Sequence, residues 1–275
     1  MSKLLSANFM RLWKNKCFWG GIIFMLVASV FFPVMRYVDM KQSGYIVSLD
    51  NGFFSCAIFV AVILSIFCSL FVGTEYSDGT IRNKITIGHK RTDIYLSNLF
   101  TNMIVGLMMC AVSFTVYLCV GIPLLGFFEA DIMVILLFVV TVIVLSFAFS
   151  SIFTMIAMIN SNKAIVAVVC ILTTFLLIFA GTYINSRLQE PETYTAYTYS
   201  INGRNTDVEE KNPNYLEGTE RKIYQFLYDF LPGGQVVQCA SMKAENPHML
   251  VIYSAIIFMI TTSVGIVIFR QKDIK

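Results

Sequence analysis

The residues with chemistry to offer gather in one polar stretch, Gly73-Thr-Glu-Tyr-Ser-Asp-Gly-Thr-Ile-Arg-Asn-Lys-Ile-Thr-Ile-Gly-His-Lys-Arg91, set between two long apolar segments. The stretch is a short polar island that carries the cations Arg82, Lys84, Lys90 and Arg91. Asp78 is placed to accept from the free N–H groups of a first helical turn. Ile81 and Ile85 then share a face at i,i+4, while Arg82 and Lys84 point elsewhere. Gly88 tolerates the left-handed conformation that ends helices. The stretch reads as a short capped amphipathic helix at a membrane surface, able to bind a soluble partner and pass its movement to the flanking spans. A plain solvated loop is the competing reading.

Other chemistry is missing from the sequence. There is no GxxxxGK[ST] phosphate loop and no GxGxxG fingerprint. His89 and His248 lack neighbouring Cys, His or carboxylates at metal-binding spacing. The apolar segments carry no Asp, Glu, Lys, Arg or His away from their ends, with Arg36 at the edge of the first. Ionisable groups buried in a membrane mark proton relays, ion-coupling sites and intramembrane catalysis. Their absence argues against an ion-coupled carrier and an intramembrane protease, and no cluster of catalytic types suggests a membrane enzyme. Of 7 cysteines, Cys17, Cys56, Cys68, Cys110, Cys119 and Cys170 lie in or beside apolar segments, where cysteine acts as a small hydrophobe. Cys239 alone falls in a polar stretch, and no CxxC pair exists.

The elements that must position the polar stretch follow from composition. The 275 residues are 57% hydrophobic and 13% charged, against about 25% charged in soluble domains. Six apolar segments, 17–36, 52–74, 95–126, 132–159, 164–184 and 249–269, are near or above the ~20 residues that cross a bilayer. The first has no small-residue cleavage site after it and is expected to be retained. The third is long for a straight crossing, and Pro123 with Gly121 and Gly126 predicts a kink or break near its outer end. Before the first segment, Leu5, Phe9, Leu12 and Trp13 form an apolar stripe, opposed by Lys3, Arg11, Lys14 and Lys16. That is the pattern of an interfacial helix lying on an anionic leaflet. Ser146, Ser150 and Thr154 make a small-residue stripe on the fourth span, for packing within the chain or between chains.

Charge sets the orientation. With both termini inside, the inner segments hold 12 of the 20 Lys and Arg residues, opposed only by Glu75, Asp78, Asp93 and Asp273. The outer segments hold the remaining 8 basic residues and 13 acidic ones. The positive-inside rule then places both termini in the cytoplasm. Residues 185–248 face outward. Within them Thr193–Tyr199 favours a strand, and Asn202-Gly203 favours a type I′ turn, so a hairpin is expected over 193–210. Thr219 is placed to cap a helix in which Ile223, Phe226, Leu227 and Phe230 align, and Pro232-Gly233-Gly234 breaks it. The fold expected is an all-α polytopic membrane protein. It comprises an interfacial helix (1–16), five spans with the cytoplasmic loop 75–94 (17–184), an extracellular segment (185–248), and a sixth span with its tail (249–275).

The chain resembles the six-span permease subunits of bacterial ABC-2 type transporters. The resemblance lies in Glu75-Tyr-Ser-Asp-Gly-Thr-Ile-Arg-Asn-Lys-Ile85, with Lys90-Arg91 and the third span after it. Leu12-Trp-Lys-Asn-Lys16, Phe230-Leu-Pro-Gly-Gly-Gln235 and Phe269-Arg-Gln-Lys-Asp-Ile274 also fit. It covers the whole chain as architecture and is specific only over 75–85. It implies that the loop is a coupling helix, with Glu75, Asp78, Gly79, Thr80, Arg82 and Lys84 making or shaping the contact with a separate ATPase subunit. The N-terminal helix would be the elbow helix. The resemblance implies a transport subunit in the bacterial plasma membrane that is not itself an enzyme. ATP and Mg would serve the partner ATPase, and no cofactor or nucleic acid would bind this chain. A second permease chain, identical or related, is expected, and the substrate class includes antimicrobial peptides, drugs and lipid-like molecules. No residue is nominated as a substrate ligand. The alternative is a non-transporting assembly or sensor protein that binds a cytoplasmic partner through 75–94.

Overall fold

A computed structural model describes residues 1–46, 48–201 and 204–273, and among them six helices are long and apolar enough to cross a membrane. The chain is an all-α polytopic membrane protein with one small β-ribbon. It opens with α1 (Ser2–Trp13), followed by the spans α2 (Lys16–Ser43) and α4 (Cys56–Ser77), with the one-turn α3 (Asp50–Phe53) between them. The short α5 (Thr80–Thr86) leads into α6 (Arg91–Leu125), α7 (Ile132–Ile159) and α8 (Lys163–Leu188). Then come β1 (Thr193–Ile201), β2 (Arg204–Lys211), α9 (Gly218–Phe230), α10 (Pro232–Ser241) and the last span, α11 (Pro247–Gln271).

Asparagines and an aspartate cap the starts of three of the six spans. Asn15 accepts from the N–H groups of Cys17 (2.8 Å) and Phe18 (3.1 Å), Asn162 from Ala164 (2.9 Å), and Asp131 from Met133 (3.0 Å). Each satisfies donors that a helix start leaves free. Five of the six spans, all but α7, outrun the expected bounds at one end or both. α2 continues through Arg36 and Lys41 until Gly44, at φ 73°, turns it off. α4 runs on to Ser77 and so takes Glu75 into its last turn. α6 starts at Arg91 and passes Pro123 to end at Gly126, φ 84°. The helix runs through Pro123 and stops two residues later, and a proline so close to a helix end removes only one terminal hydrogen bond.

α4 sits between α7 and α8, α2 packs on α6, and α11 on α7. The Ser146–Ser150–Thr154 stripe faces α6, not a lipid-exposed surface. Asn102 Nδ2 donates to Thr154 Oγ1 at 2.8 Å, and Ser150 Oγ to the Asn102 carbonyl at 3.4 Å. Small residues here admit close helix approach, and the polar groups find partners that lipid does not offer.

Residues 193–211 form the expected hairpin, antiparallel from Thr193↔Lys211 to Ile201↔Arg204, with a shift between Thr195 and Tyr197. The Asn202-Gly203 turn lies outside the described residues, as do Ile274 and Lys275. Thr219 does not cap α9: the helix begins one residue earlier, at Gly218, with no side-chain cap. Ile223, Phe226 and Leu227 form its exposed apolar face, and Phe226 stacks on Phe230 at 5.7 Å. Pro232-Gly233-Gly234 ends α9 but also starts α10, with Pro232 in the first turn, where its missing N–H costs nothing. α10 is not a surface piece. It is largely buried against α8, with further contacts to α7 and α4, and carries Cys239 into the core. A Cβ on Gly181 of α8 would stand 2.5 Å from the Gly233 oxygen and the Gly234 nitrogen, so glycine on both helices is what lets the backbones meet.

Candidate functional site

The last turn of α4 closes with the Asp78 N–H donating to the Thr74 carbonyl at 3.0 Å and that of Gly79 to Tyr76 at 3.1 Å. Gly79, at φ 67°, reverses the chain and is the residue before α5. Asp78 therefore does not cap α5. Its backbone (φ −88°, ψ 3°) continues the α4 turn instead of adopting the extended form that an N-cap needs. Its carboxylate accepts from Ser77 Oγ at 3.3 Å and is otherwise exposed. The far end of α5 matches expectation. His89 N–H donates to the Lys84 carbonyl (3.1 Å) and Gly88 N–H to Ile85 (2.9 Å), with Gly88 at φ 98°. This is the paired closing pattern that glycine permits. Ile81 is buried and Ile85 packs beside it, whereas Arg82, Asn83 and Thr86 are exposed.

Glu75 is 1% exposed and lies inside the protein. Arg11 Nη1 of α1 meets its Oε1 at 2.7 Å, Lys84 Nζ of α5 donates to the same oxygen, and Asn98 Nδ2 of α6 donates to Oε2 at 2.9 Å. Asn8 Nδ2 donates to Asn98 Oδ1 (3.3 Å), and Lys84 Nζ reaches Asn8 Oδ1 (3.4 Å). One carboxylate thus ties together α1, α4, α5 and α6. Lys84 likewise turns inward, leaving Asp78, Gly79, Thr80 and Arg82 at or near the surface. The Arg11 guanidinium also lies 3.7 Å above the Phe71 ring. Burial pushes its pKa down, and the charge and hydrogen bond of Glu75 oppose that shift.

This network rotates α1. Its enclosed face is Leu4, Asn8 and Leu12; Leu5 and Phe9 are half-buried and Trp13 is 53% exposed. The apolar stripe is thus divided: Leu12 is enclosed by the protein, whereas Leu5, Phe9 and Trp13 keep exposed surface. α1 packs on α6 instead of resting only on lipid, because Asn8 and Arg11 follow their partners inward. A polar residue at the centre of a buried face carries no signature in an apolar periodicity, so Asn8 and Asn98 went unmarked.

Two more ties reach the same end of the bundle. Arg91 Nη1 donates to the carbonyls of Phe269 (3.3 Å), Arg270 (3.0 Å) and Lys272. Tyr76 OH donates to the Met158 carbonyl at 2.5 Å, and Lys272 Nζ donates to the Tyr76 oxygen at 3.0 Å. Burial lowers the Lys272 pKa to about 8. Tyr76, which sequence alone did not single out, is thus a junction of α4, α7 and the end of α11. A cleft of about 380 Å³ beside it is lined by Ser77, Gly79, Arg82, Ser161 and Asp273.

These features define a class: a six-span membrane protein that presents one short helix at a bundle end, with a buried carboxylate holding that helix to the spans. A family model for ABC-2 family transporter proteins matches residues 4–181, from α1 into α8, and the chain belongs to that family. It is accordingly the membrane-embedded permease subunit of an ABC transporter, whose partner is an ABC ATPase. No curated protein sequence matches the chain.

Proposed function

We propose that this permease exports its substrate using ATP hydrolysed by a separate subunit docked on α5. The observation that carries the reading is the Glu75 clamp. It fixes the inner side of α5 to α1, α4 and α6 while leaving Arg82 exposed. Asp78, Gly79, Thr80 and Arg82 then form the contact surface, and Glu75 and Lys84 shape it from behind. A push on α5 would reach three other helices through one carboxylate. ATP and Mg belong to the ATPase, and this chain binds no cofactor. Two permease chains, identical or related, line the path. Residues 1–16 serve as the elbow helix and loop 75–94 as the coupling element, with both termini in the cytoplasm of a bacterium. The cargo is an antimicrobial peptide, a drug or a lipid-like molecule.

Arg82→Glu tests the docking surface. A hydrogen bond to a charged group contributes about 1.5–3 kcal/mol, so ATPase co-purified with the permease should fall roughly tenfold or more. Lys222→Glu, an exposed change on α9, should leave recovery unchanged. Parent-like recovery with Arg82→Glu would remove α5 as the docking element. ATPase that binds normally while transport has no dependence on ATP would favour the assembly or sensor reading.

Orientation has its own check. In a cysteine-free variant, a cysteine at Ser200 should label in intact cells with an impermeant maleimide. One at Lys90 should label only after permeabilisation, and labelling of intact cells there would invert the topology.

A further inference from the structure

Toward the bundle end where α4 begins, away from α5, a small cavity of about 10 Å³ lies between α2, α4 and α6. Ser29 of α2, Ser55 just before α4 and Ser113 of α6 line it, and Tyr117 also contributes to its wall. Phe32 and Phe59, with ring centroids 5.5 Å apart, close it between α2 and α4. Ser29 is 4% exposed and Ser113 1%.

The serine hydroxyls in this wall behave unlike others buried in the spans. Ser65, Ser69, Thr101 and Ser146 each donate to a carbonyl three or four residues back in their own helix, at 2.7 or 2.8 Å. Ser113 Oγ makes no such bond and has no partner among the described residues. The Ser29 hydroxyl has none there either, and Ser55 precedes α4 without capping it. An unmade hydrogen bond is costly inside a bilayer, where no solvent takes its place. One water needs two to four polar partners and roughly 10–15 Å³ of room, and this cavity is at the lower edge of that range. Three hydroxyls from separate parts of the chain converge on it, and each can both donate and accept. No charged side chain lines it, and its volume excludes a larger ligand.

We propose that this cavity binds a single water molecule, which joins α2, α4 and α6 through the hydroxyls of Ser29, Ser55 and Ser113. The site lies apart from α5, so it goes beyond the docking reading and does not depend on an ATPase.

The test is X-ray hydroxyl-radical footprinting of the full-length permease in phosphatidylcholine nanodiscs, without ATPase or nucleotide. Radicals made from a bound water oxidise the side chains beside it, and Met25, which is 0% exposed, lines the cavity. Met25 should therefore be oxidised in the parent despite its burial. Ser29→Ala combined with Ser113→Ala removes two hydroxyls and adds no bulk. It leaves a nearly apolar cavity, which stays dry, so oxidation of Met25 should fall roughly threefold or more. Met249, 38% exposed, sets the dose and should be oxidised equally in both proteins. Should the double variant fail to reach the membrane, Ser113→Ala decides alone, with a smaller fall in the same direction. Arg82→Glu should match the parent, which separates this result from any failure of ATPase docking. A Met25 left unoxidised in the parent, or oxidised equally with and without the hydroxyls, would overturn the proposal.

Discussion

Replacing Glu75 by alanine is expected to release α1 and α5 from the bundle while the six spans stay inserted. The substitution leaves Arg11 and Lys84 partly buried and facing each other across an empty site, and it removes the acceptor for Asn98. Removing one partner of a buried ion pair costs about 3–5 kcal/mol, far more than losing an exposed pair. Spans held in lipid by their own apolar surface do not depend on that energy, so membrane levels should be near normal. Hydrogen exchange at the amides of 80–88 should rise, and the co-purified ATPase should drop to background. Glu75→Gln keeps the shape and one acceptor but leaves two cations without a counter-charge, so it should also be impaired. Adding Lys84→Met to Glu75→Gln should then recover part of the loss, because the two positions are coupled. Protected α5 amides in Glu75→Ala would show that the clamp holds nothing.

Gly233→Ala should unseat α10. The added methyl would fall on the Leu177 carbonyl of α8, a backbone atom that cannot rotate away. Overpacking ordinarily costs about 1–3 kcal/mol, and here the only relief is separation of the two helices. That movement would also strain the bond from Ser254 to Gln235 and uncover Cys239, which is fully buried. In a variant keeping Cys239 as its only cysteine, maleimide labelling should change from slow to rapid. Gly20→Ala serves as control, since nothing stands within 4 Å of its Cβ position. Unchanged labelling in Gly233→Ala would mean that the α8–α10 approach is not tight.

The spans were legible because lipid imposes a one-dimensional rule of twenty or so apolar residues with cations at the ends. The end of α5 was legible for a similarly local reason, since Gly88 satisfies its own helix within two residues. The start of α5 was not. Asp78 and Gly79 both suit a helix boundary, and the choice fell to the residue that reverses the chain with least strain, which is glycine at φ 67°. The Glu75 clamp was hidden because its members, Asn8, Arg11, Glu75, Lys84 and Asn98, come from four helices. Each of them taken alone looks like an ordinary interfacial polar residue. α10 was hidden by ambiguity: Pro-Gly-Gly reads as an interruption in sequence, whereas in space the glycines make room for a neighbouring backbone.

The grip of Arg91 on the end of α11 joins residues 178 to 181 positions apart. Synthesis runs from the N-terminus, so every member of the Glu75 clamp has been made by the time residue 98 leaves the ribosome. Arg91 is made in the same interval, but its acceptor carbonyls do not exist until α7, α8, the β-ribbon and α9–α11 have followed. A growing chain thus gains the complete clamp while Arg91 still faces water or lipid headgroups. The tie to Phe269, Arg270 and Lys272 closes only when the last span is in place, so it distinguishes a finished bundle from one halted partway through insertion.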